Sequence, residues 1–384
     1  MRLRLRRPAA HARLAARLLA AAARSIGSAA AGIMLMAGLG GPASQVAAAT
    51  SYREVDAVRP LQFPQDHGSH PEFRTEWWYV TGWLTSAAGT PLGFQITFFR
   101  SRPQIHEDNP SAFTPHQLII AHAALSDPAR GRLWQDQRIE RAGFGLADAL
   151  GGNTDVWVDR WRLTRAASAY TATVTADEFA LDLRLTERQA PMLNGDSGLS
   201  RKGPEALAAS YYYSIPHLQV AGAITRAGSR EKVVGEAWLD HEWSSEYLAG
   251  GAVGWDWVGI NLDDGGALMA FRIRGAHGET RWSGGSLRLP DGRLQILAAG
   301  ALDFVPGRAW VSPRTGIRYP VAWRIDAGSR QFELEPLIDD QENDTRLSTG
   351  AIYWEGAVRA RESGRTVGRG YLELTGYGEP LRLR

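Results

Sequence analysis

Asp240-His241-Glu242 sets three ionisable side chains in a row, bracketed by Trp238 and Trp243. Trp238 and Leu239 favour a strand at this point. A strand sends successive side chains to opposite faces, so Leu239, His241 and Trp243 share one face, and Trp238, Asp240 and Glu242 share the other. The pattern offers a proton donor in an aromatic wall. Acid-catalysed addition of water to an isolated alkene needs such a wall, because protonating the double bond leaves a carbocation. Indole faces stabilise a cation by roughly 0.5–2 kcal/mol each. Asp240, Glu242 or Glu76 could serve as the acid if burial raises its pKa, with His241 holding or relaying the proton. Trp77, Trp78, Trp243, Trp255 and Trp257 are candidates for the pocket wall, with His70 beside them. The plainer alternative for His241 is a structural strand position paired with a backbone carbonyl; for each tryptophan it is barrel core, and for Glu76 an ion pair with Arg74.

Other chemistries fit less well. There is no G-x-S-x-G elbow and no H-E-x-x-H. Ser244 and Ser245 follow His241 along the same strand, which is poor geometry for a triad. Asp66, His67 and His70 are of metal-ligating type, but no further spacing supports a site, so no metal and no cofactor is expected. The chain has no cysteine, which excludes disulfides, thiolate nucleophiles and zinc–thiolate sites.

The elements that must position these residues are strands. The 384 residues include 42 glycines, 19 prolines and 14 tryptophans, a composition suited to many short strands, turns and aromatic-lined walls. Trp77 to Leu84, a Gly89 turn and Leu92 to Arg100 read as a hairpin. Gln117 to Leu125, Asn153 to Leu163, Ala169 to Leu185 and Leu218 to Ile224 read as further strands. Gly203 to Ser210 could form a short helical turn. Gly254 to Leu262 and Ala267 to Arg274 form a second hairpin about Asp263-Asp264-Gly265-Gly266. The two hairpins align, Trp77 with Trp255, Tyr79 with Trp257, Val80 with Val258 and Leu84 with Leu262. Trp238-Leu239-Asp240 likewise aligns with Tyr371-Leu372-Glu373, which sets His241 opposite Leu374. The chain reads as two copies of one β-unit, 50–247 and 248–384.

Residues 1–49 carry seven arginines and no acid. An apolar run from Ile33 and a small-residue site ending at Ala49 follow. This is the pattern of a secretory leader, with an uncleaved anchor as the alternative. Arg6-Arg7 leaves Sec and Tat export both open. The whole chain has a formal net charge of +2; without those seven arginines it is −5, with no basic tract, which argues against nucleic acid as a partner. A periplasmic or secreted protein is expected.

Four motifs in order carry a resemblance. Asp66-His67-Gly68-x-His70 with Glu76-Trp77-Trp78-Tyr79, then Trp238 to Trp243, then Gly254-Trp255-Asp256-Trp257, then Gly370-Tyr371-Leu372-Glu373-Leu374-Thr375-Gly376-Tyr377 resemble the AttH/CrtC lipocalin-like family. That family includes carotenoid 1,2-hydratases and secreted proteins called predicted hydrolases. The likeness spans about residues 60–384 and implies an all-β fold of two tandem lipocalin-like barrels. It also implies a functional histidine and tryptophan at spacing two, matched by His241 and Trp243. The family's hydratases use a tyrosine and an aspartate some 25 residues further on; here that region reads Leu268-Met269-Ala270-Phe271, so carotenoid hydration does not carry over whole. The expectation is a lipocalin-like protein acting on a hydrophobic isoprenoid- or lipid-like molecule, with hydratase chemistry favoured. A non-catalytic carrier at a membrane surface or serving an ABC-type export system is the main alternative, and a hydrolase the second.

Overall fold

The computed structural model describes residues 52–103, 108–248 and 250–381. The leader read in residues 1–49 lies outside the described residues. Among the described residues no helix is long and apolar enough to cross a membrane.

The first sheet is built from β1 (Thr75–Ser86), β2 (Pro91–Ser101), β3 (Leu118–Asp127), β4 (Arg132–Arg141), β5 (Ala147–Ala149), β6 (Asp155–Val158), β7 (Trp161–Ala166), β8 (Ala169–Thr175) and β9 (Phe179–Thr186), with the short β10 (Met192–Leu193) and β11 (Leu199–Arg201) and the long β12 (Ala209–Arg226) and β13 (Ser229–Glu246). Its order is β4-β3-β2-β1-β13-β12-β9-β8-β7-β6-β5, with β10 and β11 paired to β12. β3 and β4 come back against β5 and β6, so the sheet curls into a nearly closed barrel. Gly203 to Ser210 is a turn leading into β12, not a helix.

The second sheet uses β14 (Ala252–Leu262), β15 (Ala267–Gly275), β16 (Thr280–Arg288), β17 (Leu294–Leu297), β18 (Leu302–Pro306), a separate β19–β20 pair (Ala309–Val311, Arg318–Pro320), β21 (Trp323–Ala327), β22 (Arg330–Pro336), β23 (Glu342–Thr345), β24 (Ala351–Glu362) and β25 (Arg365–Leu374). Its order, β17-β16-β15-β14-β25-β24-β22-β21-β18, repeats that of the first sheet. The registers repeat too. Tyr79 faces Asp240 and Val80 faces Leu239 across β1–β13; Trp257 faces Glu373 and Val258 faces Leu372 across β14–β25. The internal repeat is therefore a repeat of structure. The architecture is all-β, two tandem lipocalin-like barrels.

Burial patterns say how the two halves meet. β9 alternates buried and exposed residues along FALDLRLT, as a strand with one wet face should. β1, β2 and β15 are buried on both faces. β13 changes midway: exposed positions recur up to Glu236, and everything from Ala237 to Ser245 is buried. The inner faces of these strands fill their own barrels, and the outer faces meet the other sheet. Trp83, Trp238, Trp257, Phe271 and Tyr371 form an apolar layer between the halves. Burying such side chains contributes roughly 1.5–3 kcal/mol each, and Thr50–Arg384 is one compact unit. Gly93 permits the approach, because a Cβ there would lie 2.6 Å from the Cβ of Ala357 and 2.7 Å from the Tyr371 hydroxyl.

Candidate functional site

The strand alternation of β13 divides the expected site into two places. Leu239, His241 and Trp243 point into the first barrel. In the neighbouring strand Trp78 lies opposite His241 and Glu76 opposite Trp243. His241 is fully buried. Its Nε2 is 2.8 Å from Glu76 Oε1 and its Nδ1 is 3.1 Å from the Tyr213 hydroxyl. His70 holds the same Glu76 oxygen through Nδ1 at 2.7 Å and reaches Asp66 through Nε2 at 3.0 Å. Arg100 Nε donates to the other Glu76 oxygen at 2.8 Å. The His70 ring stacks on Trp243 with centroids 3.8 Å apart.

Burial penalises the charge on Glu76, but the cationic His70 and Arg100 and the hydrogen bond from His241 outweigh it and hold its carboxyl well below the usual range. Burial also works against a charged His70, yet Glu76 and Asp66 raise its pKa. Burial dominates at His241 and lowers its pKa, against the pull of Glu76. The result is a dry, nearly neutral network that ties the segment before β1 to the barrel interior. The five residues His241, Glu76, His70, Trp78 and Trp243 come together on the barrel-interior side of β1 and β13, and none of them lines the cavity described below. His70, Glu76 and His241 do offer ligand atoms within 4.8 Å of one another. Those atoms are joined by hydrogen bonds, and the Arg100 guanidinium is bound to the same carboxylate. Asp66 is shared between His70, Arg59 and the Gln62 N–H, whereas His67 turns to Tyr213, so the three do not converge on a common point.

The other face of β13 meets the second sheet, and between them lies a cavity of about 110 Å³. Three of the candidate tryptophans, Trp77, Trp255 and Trp257, line it, and Asp240 and Glu242 reach it from β13. Trp77 stacks on Tyr247 at 4.5 Å and lies parallel to Trp255 at 6.4 Å. Asp240 accepts three hydrogen bonds, from Ser214 Oγ at 2.6 Å, Trp238 Nε1 at 2.7 Å and the Tyr212 hydroxyl at 2.7 Å. The Tyr212 oxygen in turn accepts from Trp257 Nε1 at 2.9 Å, so the second sheet holds the donor of the first. Glu242 is paired with Lys202 at 2.7 Å and accepts a very short hydrogen bond from Ser210. The Lys202 ammonium sits 4.1 Å from the centre of the Phe271 ring.

Burial pushes the Asp240 carboxyl up to about 7. The charge of Glu242 adds to this, and the bonds from Ser214, Tyr212 and Trp238 oppose it. The second sheet supplies a matching group. Burial raises Glu373 to about 7, with the Trp255 side chain opposing and the charges of Asp240, Glu242 and Asp256 adding. Burial, then Glu373, raise Glu355 well above the carboxylate range. Two acids from different sheets thus titrate near neutrality in one aromatic cavity.

Sequence reasoning missed Tyr212, Lys202, Glu355 and Glu373. Glu373 had a signal, since the repeat aligns it with Asp240. The others had none, because they come from strands whose place at the cavity is set by the meeting of the two sheets.

A model of the AttH-like family matches residues 54–377. The crystal structure of a protein assigned as AttH from Nitrosomonas europaea is 52% identical, covering 85% of this chain and 99% of its own, with a TM-score of 0.80. Kievitone hydratase from Nectria haematococca is 15% identical over 86% of this chain and 97% of its own, with a TM-score of 0.64. CghA in complex with Sch210972 is also 15% identical, over 79% of this chain and 89% of its own, at a TM-score of 0.50. The last two share the fold. No curated protein matches the sequence.

Proposed function

This chain belongs to the AttH-like family, and on that premise we propose that it holds a hydrophobic isoprenoid- or lipid-like molecule between its two sheets and adds water across a C=C bond. The observation that carries this reading is Asp240: a carboxyl poised at about 7 in a wall of indoles. A protonated Asp240 gives its proton to the less substituted alkene carbon. The cation formed on the other carbon is stabilised by the faces of Trp77, Trp255 and Trp257. Water attacks that cation, and the proton it sheds returns to Asp240, directly or by way of Glu373 across the cavity. One water is consumed and the acid is restored. Tyr212 holds Asp240 in place and can pass its proton. The name of kievitone hydratase, which shares the fold, is in keeping with this chemistry.

The carrier reading needs an apolar cavity without a perturbed acid, and Asp240 and Glu373 count against it. A hydrolase has less support: among the described residues lining the cavity none is serine or histidine, and Ser244 and Ser245 are hydrogen-bonded to the carbonyls of Ala209 and Arg53. On the arginine-rich leader we place the protein in the periplasm or outside the cell, where a membrane surface or an export system could deliver its guest.

The test is mass spectrometry of small molecules that copurify with the protein, followed by incubation of the alkene found in heavy-oxygen water. Wild type should yield a product carrying one heavy oxygen, and Asp240→Asn should not. An unmodified molecule recovered from both proteins would favour carriage and defeat the hydratase reading.

A further inference from the structure

Three polar atoms on the cavity wall lack a well-formed hydrogen bond. Among the described residues, the Tyr79 hydroxyl, the Tyr247 hydroxyl and Oε1 of Glu355 are buried without a partner in bonding geometry, and all three side chains line the cavity. The residues themselves are 6%, 6% and 2% exposed. Tyr79 and Tyr353 stand within hydrogen-bonding reach of the Glu355 carboxyl and bias its proton affinity, but the Tyr79 hydroxyl and Glu355 Oε1 are not aligned into a bond. Buried polar groups are almost always paired. Leaving three unpaired on one small surface costs stability, and a fold that keeps them there fits a guest that satisfies them.

We infer that the guest carries a neutral oxygen function, a hydroxyl or a carbonyl, seated against Tyr79, Glu355 and Tyr247, so that the substrates are oxygenated isoprenoids and not bare hydrocarbons. This rests on the reading that the cavity between the sheets holds the guest. The charge of the oxygen follows from the wall. Burial disfavours the charged forms of Tyr79, Tyr247 and Glu355, so the wall suits a neutral hydrogen-bonding partner better than a charged one. Among the described lining residues the one ammonium, Lys202, is already paired with Glu242. An anionic head would find no free cation among the described lining residues, and it would stand near Glu242 and Glu373. A neutral oxygen accepts from the two phenols and exchanges a bond with the acid.

The probes are geraniol, the hydrocarbon of the same skeleton without its hydroxyl, and geranic acid. Binding to the whole chain is read by calorimetry and by quenching of tryptophan fluorescence. Geraniol should bind about tenfold or more tighter than the hydrocarbon, the worth of one or two hydrogen bonds to groups otherwise left unpaired, and tighter than geranic acid at neutral pH. Tyr79→Phe and Glu355→Met should each shrink the preference for geraniol severalfold. The comparison is made on variants that melt as wild type does, because Tyr79 and Glu355 lie close enough to interact. Equal binding of alcohol and hydrocarbon, binding of neither, or a preference that survives both substitutions overturns the inference. These measurements need no turnover. A protein that prefers geraniol but never hydrates an alkene defeats the hydratase reading alone, whereas one that hydrates bare hydrocarbons defeats this inference alone.

Discussion

Replacing Asp240 by asparagine tests the electrostatics of the cavity directly. Asp240 goes from an ordinary 3.8 to about 7 on folding. An acid whose folded pKa is raised binds a proton more tightly in the native state, so its contribution to stability is full below pH 3.8 and is lost as pH climbs through 7. The loss is about 2 kcal/mol at pH 5 and about 4 kcal/mol at pH 8, since each pH unit between the unfolded and folded values is worth about 1.4 kcal/mol. Asparagine is neutral at both pH values. Its amide cannot accept all three bonds from Ser214, Trp238 and Tyr212, but that cost does not depend on pH and cancels in the comparison. The stability of Asp240→Asn minus that of wild type should therefore rise by about 2 kcal/mol between pH 5 and pH 8. Removing Asp240 also removes one of the charges that raise Glu373, which works in the same direction. Urea unfolding of both proteins across this range, followed by tryptophan fluorescence, supplies the numbers. A difference that stays flat from pH 5 to pH 8 would mean that Asp240 is ionised throughout, and the proposed acid would be lost with it. In wild type, hydration should likewise fall as pH rises past about 7.

Two further outcomes concern the buried histidines. His241→Ala deletes a ring packed between Trp78 and Trp243 and strips Glu76 of one bond; the cost should be about 3 kcal/mol in urea unfolding, with guest binding kept wherever the variant remains folded. A variant as stable as wild type that had lost only turnover would return His241 to the chemistry. His67 and His122 are held down to about 3 by burial. A lowered histidine gives stability that is full above 6.5 and drains away as pH falls toward 3, at about 1.4 kcal/mol per pH unit for each group. The melting temperature should drop steeply below pH 6, and less steeply in a His122→Gln variant.

The sequence by itself determined the elements and the chemistry available to them. Tryptophan, β-branched residues and glycine turns mark the hairpins at 77–100 and 254–274. The alignment of Trp77 with Trp255 and of Asp240 with Glu373 along the chain reappears as equivalent strand registers. The two-residue period of β13 already placed His241 and Asp240 on opposite faces, because the alternation is local. What no local rule could say is which face would border a cavity. Both faces of β13 are dry beyond Glu236, one filled by its own barrel and one covered by the second sheet, so hydrophobicity could not tell them apart. The docking of the two sheets made that choice. It brought Glu355 and Glu373, more than a hundred residues away along the chain, to the wall shared with Asp240, and left His241 sealed inside.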